Sequence, residues 1–248
     1  MFQLFKKKTN SSAVPFPFSK LEVDMHSHII PGVDDGSADM ETSLELIRGM
    51  AELGYRKLIA TPHIMWDMYR NTPELLRERL TLVQEAVKKE GLPVEIFVAA
   101  EYYLDEHVEE LLRNKEPLLT ISGNKVLTEF SMAFPSLNIR ELLFNLQMEG
   151  YQPVIAHPER YVYLNHNKGF YDELRDAGCL FQLNLLSVTG YYGRSVLELA
   201  QYLLKKGYYD IIGTDLHHEG HLARLRSLQA DSSLQDLMDS GKLLNSSL

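Results

Sequence analysis

"LEVDMHSHIIPGVDDGS", residues 21–37, is an apolar run that stops on two histidines one residue apart and then passes into the turn-forming text Pro-Gly and Asp-Asp-Gly. The pattern repeats along the chain. Short β-rich runs at 21–26, 57–61, 94–101, 125–130, 153–157, 180–184 and 209–214 alternate with amphipathic helical text. After the first run, Leu44, Ile47, Met50 and Ala51 share one helical face that stops at Gly54. A second helix opens on Thr72 and Pro73 and stops at Gly91. Strand, helix and strand repeated in this way imply parallel pairing with right-handed crossovers, in an open doubly wound sheet or a closed barrel. Seven units favour the barrel, and functional residues are then expected where the strands' C-terminal ends open into loops.

Those ends collect the chemistry. They carry His26, His28, His63, Glu101, Glu129, His157, Arg160, Asn184, Asp215 and His217. In His-x-His, alternate residues on a strand share a side, so His26 and His28 can reach one ion while Ser27 faces away. Imidazoles and carboxylates together suit Mn, Fe or Zn rather than a thiolate site. The remaining histidines lie in helix or loop text and read as surface residues, with His218 and His221 kept as candidates for lining the site.

Composition narrows the class. At 248 residues, 45% hydrophobic and 24% charged, the chain reads as a flexible arm over residues 1–20 and one globular domain over 21–248. The net charge of −9 argues against nucleic-acid binding, which needs clustered Lys and Arg. The single cysteine, Cys179, excludes a disulfide framework and fits a reducing cytoplasm. It also lacks the arginine of a Cys-x5-Arg phosphatase, since Leu185 stands six residues on. Residues 1–20 lack the apolar core of a signal peptide, and Phe2, Leu4, Phe5 and Lys6 to Lys8 allow at most a weak membrane-surface contact.

"DMHSHIIPGVDDGS", "IATPH", "AAEYY", "LTEFSM", "VIAHPERY" and "GTDLHH" occur in that order, and with them the chain resembles the PHP (polymerase and histidinol phosphatase) superfamily. Within it the sequence is most similar to the bacterial capsular-polysaccharide tyrosine phosphatases of the CpsB type. The resemblance implies a distorted TIM-like (β/α)7 barrel, three divalent ions (Mn first, Fe or Zn as alternatives) and hydrolysis of phosphotyrosine by a metal-bound hydroxide. It implies one ion on His26, His28, Glu101 and Asp215, a second on Glu101, Glu129 and His157, and a third on Asp35, His63 and His217. Asp35 is taken over Asp34 because it directly precedes Gly36. Arg160 matches the phosphate-binding arginine, with Asp215 and His217 as candidates for general-acid assistance. The family's second arginine falls on Leu222, leaving Arg224 as the candidate replacement. Trp66, Tyr69, Tyr102, Tyr103, Tyr161 and Tyr163 follow the ligands in sequence and are expected to form an aromatic rim, with Trp66 and Tyr103 contacting substrate. The implied partner is the phosphotyrosine-containing tail of a bacterial tyrosine kinase that regulates exopolysaccharide synthesis. The alternatives are a phosphoesterase acting on a small molecule such as histidinol phosphate, or a non-catalytic docking subunit.

Overall fold

The computed structural model describes residues 14–134 and 138–248. Its strands are β1 (Val14–Pro15), β2 (Val23–Asp24), β3 (Lys57–Ala60), β4 (His63–Ile64), β5 (Glu95–Val98), β6 (Glu101–Tyr103), β7 (Lys125–Glu129), β8 (Gln152–Ile155), β9 (Leu180–Asn184), β10 (Ile211–Gly213) and β11 (Gln229–Ala230). The helices are α1 (Met40–Leu53), α2 (Pro73–Glu90), α3 (Glu106–Arg113), α4 (Ile139–Met148), α5 (Gly169–Asp176), α6 (Arg194–Lys206), α7 (Glu219–Arg226) and α8 (Ser232–Asp239). The expected alternation is present, with local breaks. Pro62, which has no N–H to give, separates β3 from β4. The run at 94–101 divides into β5 and the start of β6.

The fold is mixed α/β, and its central strands are parallel. One sheet runs β2-β3-β5 and the other β10-β9-β8-β7-β6-β4. Backbone bonds carry the first into the second, from Ala99 N to Ala60 O (2.8 Å) and from Glu101 N to Pro62 O (3.1 Å). At the opposite side Ser27 bridges Leu216, His28 N donates to Leu216 O (2.8 Å) and Asp215 N donates to His26 O (2.7 Å). The sheet is therefore curled, and its strands' C-terminal ends converge. Leu127, Val154, Ala156, Ala99 and Ile211 cluster together, on the strand faces that period-two alternation shares with Glu129, Glu101 and Asp215. A second, larger cluster lies between strands and helices.

Helix ends follow the sequence signals. The Asp39 carboxylate accepts from Thr42 N at the start of α1, Thr72 accepts from Leu75 N at the start of α2, and Gly54 and Gly91 take the left-handed conformation after them. The buried face of α1 is Leu46, Ile47, Met50 and Gly49, with Leu44 and Ala51 only half-buried. Gly49 is required there because a Cβ would lie 2.2 Å from a methyl of Leu222 on α7.

Residues 14–20 of the expected arm are packed against the domain. β1 pairs antiparallel with β11, Phe16 N donates to Leu228 O, and Phe16 and Phe18 are buried with their rings 4.7 Å apart, Phe18 leaning on Tyr55. Two buried aromatic rings outweigh the cost of ordering this short segment. Phe2, Leu4, Phe5 and Lys6 to Lys8 lie outside the described residues.

At the strands' N-terminal end Asn245 is buried and ties the chain end to the sheet. Its Nδ2 donates to Val23 O (3.1 Å) and Ile212 O (2.7 Å), and its Oδ1 accepts from Ile212 N (2.9 Å). Asn245→Ala should lower unfolding free energy by about 3 kcal/mol, since three buried backbone groups lose their partners. Denaturant titration checks this. An unchanged midpoint would remove Asn245 as a tie.

Candidate metal centre

Three histidines have their protonation side set by groups behind them. The backbone N–H of His157 donates to Gln182 Oε1 (3.1 Å), so that oxygen is an acceptor and the His26 Nδ1 facing it (2.9 Å) carries the proton. His28 Nδ1 donates to Asp34 Oδ2 (2.8 Å), and His217 Nδ1 donates to the carbonyl oxygen of Asp215 (2.9 Å). Each ring therefore presents a bare Nε2, the arrangement that orients metal-ligating imidazoles.

Those bare nitrogens face carboxylates rather than donors. His26 Nε2 is 3.2 Å from Glu101 Oε2 and 3.3 Å from Asp215 Oδ1, and His28 Nε2 is 3.4 Å from both and from His26 Nε2. His157 Nε2 lies 3.1 Å from Glu101 Oε1 and 3.7 Å from Glu129 Oε1. His217 Nε2 and His63 Nε2 stand 3.5 and 3.6 Å from Asp35 Oδ1. His63 has a second role that its sequence position did not reveal. Its Nδ1, buried and without a hydrogen-bond partner among the described residues, lies 3.2 Å from Glu101 Oε2 and 3.7 Å from Glu129 Oε2.

Two donors held about 2.0–2.2 Å from one cation at tetrahedral or octahedral angles stand roughly 2.9–3.5 Å apart. Most of these separations match that spacing, and the orphaned His63 Nδ1 aims at the carboxylates such a cation would join. All nine expected ligands are brought together. They fall into overlapping groups: His28, Asp35, His63 and His217; His26, His28 and Glu101; His26, His157 and Asp215; and His63, Glu101 and Glu129.

The backbone is bent to hold them. His157 and Asp215 adopt φ of +31° and +52°, left-handed values that non-glycine residues visit at a cost of order 1–3 kcal/mol. Gly36 lets the Asp34–Asp35 turn lie on His28, where a Cβ would come 2.1 Å from His28 O. Burial pushes Glu129 well above the usual carboxylate range, and the neighbouring Glu101 charge adds to it. Burial also opposes the charges of Glu101 and Asp215, but when the rings around them carry a second proton, His26 foremost, they hold both well below that range.

The centre floors a cavity of about 570 Å³. Arg160 lines it, its Nη1 donating to Asp215 Oδ2 (2.8 Å) and its guanidinium 4.5 Å over the Tyr192 ring. Asn184 Nδ2 also donates to Asp215 Oδ2 (2.9 Å). Tyr69, Tyr103, Tyr192, Met65 and Met132 form apolar walls, and His218 and His221 join the lining.

Part of the expected rim is placed elsewhere. Tyr102 and Tyr161 are fully buried, their hydroxyls accepting from Leu119 N and Phe130 N. Tyr102 neighbours Glu101 on a strand and so faces away from it. Tyr163 is half-buried and packs beside Tyr161. Trp66 does not line this cavity, because its N–H donates to Asp105 Oδ2 and its ring stacks on His107 (3.8 Å) toward α3. Arg224 is also outside the cavity: α7 buries Leu222 and Leu225, and the helical period leaves Arg224 exposed. Cys179 is buried and its thiol pushed up to about 11, so it offers no thiolate.

Sequence reading missed Asp34, Gln182 and Tyr192. A glutamine inside the otherwise apolar run 180–183 was the signal for Gln182, and the doubled aspartate was that for Asp34. Tyr192 had none beyond its glycine-flanked loop.

Known proteins resemble this chain in sequence and in overall fold. Tyrosine-protein phosphatase CpsB of Streptococcus pneumoniae is 33% identical over 202 residues, 79% of this chain and 83% of that protein. Tyrosine-protein phosphatase YwqE of Bacillus subtilis is 30% identical over 197 residues, 79% and 77% of the two chains. A crystal structure from work on these two proteins, called unique metal-dependent tyrosine phosphatases, matches with a TM-score of 0.74 and 28% identity over 87% of this chain and 84% of that one. The family model for capsular polysaccharide synthesis, CpsB/CapC, matches residues 22–232, and the chain belongs to that family.

Proposed function

We propose that this chain is a metal-dependent protein-tyrosine phosphatase on a distorted (β/α)7 barrel of the PHP type, acting in the cytoplasm on the phosphotyrosine tail of a bacterial tyrosine kinase that controls capsule or exopolysaccharide synthesis. The observation that carries the reading is the set of bare imidazole nitrogens facing buried carboxylates beside Arg160, at the floor of a cavity with aromatic walls. The Ser27–Leu216 bridge and its flanking hydrogen bonds support barrel closure. No helix among the described residues is long and apolar enough to cross a membrane.

His26, His28, Glu101 and Asp215 would hold one ion, Glu101, Glu129 and His157 a second, and Asp35, His63 and His217 a third. His63 would also face the second through Nδ1. Divalent ions there, Mn first, would draw charge from the phosphoryl oxygens and acidify a water. The chain's own groups do the rest. Arg160, steadied by Asp215 and the Tyr192 face, meets an equatorial phosphoryl oxygen as charge spreads over it. Tyr69, Tyr103 and Tyr192 pack the substrate's phenyl ring, a contact a phosphoserine methylene cannot match. A phenolate leaves readily, so little proton assistance is needed, and Asp215, held ionised, has no proton to give.

A strong chelator should abolish hydrolysis of a phosphotyrosine peptide, and added Mn should restore it; full activity in metal-free protein would end this reading. Asp34→Asn should weaken metal affinity by about 10–100-fold through the His28 ring it orients, measured by calorimetric titration. Arg160→Ala should keep its metal yet lose turnover by about 100-fold or more, the scale of one oriented donor. In steady-state assays kcat/KM should be far higher for phosphotyrosine peptides than for phosphoserine peptides or histidinol phosphate. A preference for histidinol phosphate would instead assign the chain to small-molecule phosphoester chemistry.

A further inference from the structure

Beside the metal-floored cavity lies a second one of about 590 Å³, and the two share Tyr103 and Ser131 as a common wall. We infer that this groove receives the peptide residues flanking the phosphotyrosine and selects a lysine or arginine among them, an inference that rests on the phosphotyrosine reading of the site. A peptide advances about 3.5 Å per residue when extended. With the phosphoryl group at the metal floor and its ring against Tyr103, the next residues on one side pass directly over the shared wall.

The groove's charge chooses the side chain. Among the described residues its lining carries Asp67, Asp105 and Glu106 and no lysine or arginine. Asp105 is already engaged: Oδ1 accepts from His107 N and Val108 N, and Oδ2 accepts from Trp66 N. Asp67 and Glu106 are exposed, and neither pairs with a cationic side chain among the described residues. Other surface carboxylates of the chain do find such partners, as Glu90 does with Arg48, Glu173 with Arg140 and Glu52 with Arg226. Arg70, whose guanidinium lies 5.8 Å from the Trp66 ring centre, donates through Nε to Trp66 O and does not line the groove.

The Trp66 side of the groove is tied to the start of α3. Trp66 is held by its backbone bond to Asp105 and by its stack on His107, 18° from parallel. Trp66 and Tyr103 offer faces on which the methylene stem of a lysine or arginine packs while its charged head reaches Asp67 or Glu106. This gives Trp66 a substrate-facing role outside the cavity that holds the phosphate.

The test uses the full chain loaded with Mn and pairs of phosphotyrosine peptides that differ only in carrying lysine or glutamate beside the phosphotyrosine, on either side. On one side the ratio of kcat/KM, lysine over glutamate, should be about fivefold at low salt, the scale of one or two exposed ion pairs, and should fall at high salt. In the Asp67→Asn/Glu106→Gln double variant that ratio should fall to near one. A ratio near one on both sides in the unaltered protein, or a preference that survives in the double variant, would overturn the inference. Failure to hydrolyse any phosphotyrosine peptide, or para-nitrophenyl phosphate, would instead overturn the phosphatase reading itself.

Discussion

Everything at the mouth of the sheet depends on one constraint: bare imidazole nitrogens and carboxylate oxygens, all acceptors, are held 3–4 Å apart in a buried space. Left to themselves such groups repel and attract protons, and burial strengthens both effects. The fold resists by tying three of the rings from behind. Gln182 holds His26, Asp34 holds His28, and the Asp215 carbonyl holds His217. A divalent cation removes the conflict by taking the place of the missing protons, so the frame stores the geometry that metal binding requires.

The same frame explains the local backbone. Left-handed φ at His157 and Asp215 turns two ligands inward at strand ends where a regular strand would carry them past the site. Gly213 is needed beside them, because a Cβ would come within 2.8 Å of both the His26 Cβ and the Gln182 amide. Asp24 contributes from beneath, accepting from Thr214 N and Thr214 Oγ1 and so fixing the end of β10 against β2 just before Asp215. Strain at the site is sustained by well-satisfied hydrogen bonds around it.

Arg160 joins the metal centre to the substrate space. It donates to a carboxylate that also faces His26 and His28, and an aromatic face covers it. Its position is therefore tied to the ligand cluster, and a phosphoryl group bound there meets cation and guanidinium together. Beyond it the walls change character, from charged floor to Met and Tyr sides and then to the acidic groove under Trp66. That order suits an aryl phosphate within a peptide better than a small polar ester.

Much of this was legible in the sequence because strand alternation and helix capping are local. Residue identities at strand ends are enough to list His26, His28, Glu101, Glu129, His157, Asp215 and His217, and Gly54, Thr72 and Gly91 mark helix ends without reference to anything distant. What the sequence left open are the partners reached across the fold. Gln182 stands behind His26 from 156 residues away, Asn245 ties down β2 from 222 residues away, and Phe16 and Phe18 find their burial against Leu228 and Tyr55. Trp66 and Arg224 lie outside the metal-floored cavity for the same reason: nearness in sequence to a ligand does not set where a side chain points once a turn bonds to Asp105 or a helix buries its Leu222 and Leu225 face. Local pattern determined which residues carry the chemistry, and only the folded chain decided which nitrogen faces the site, because the partner behind each ring is a placed atom, distant in sequence for His26 and near for His28 and His217.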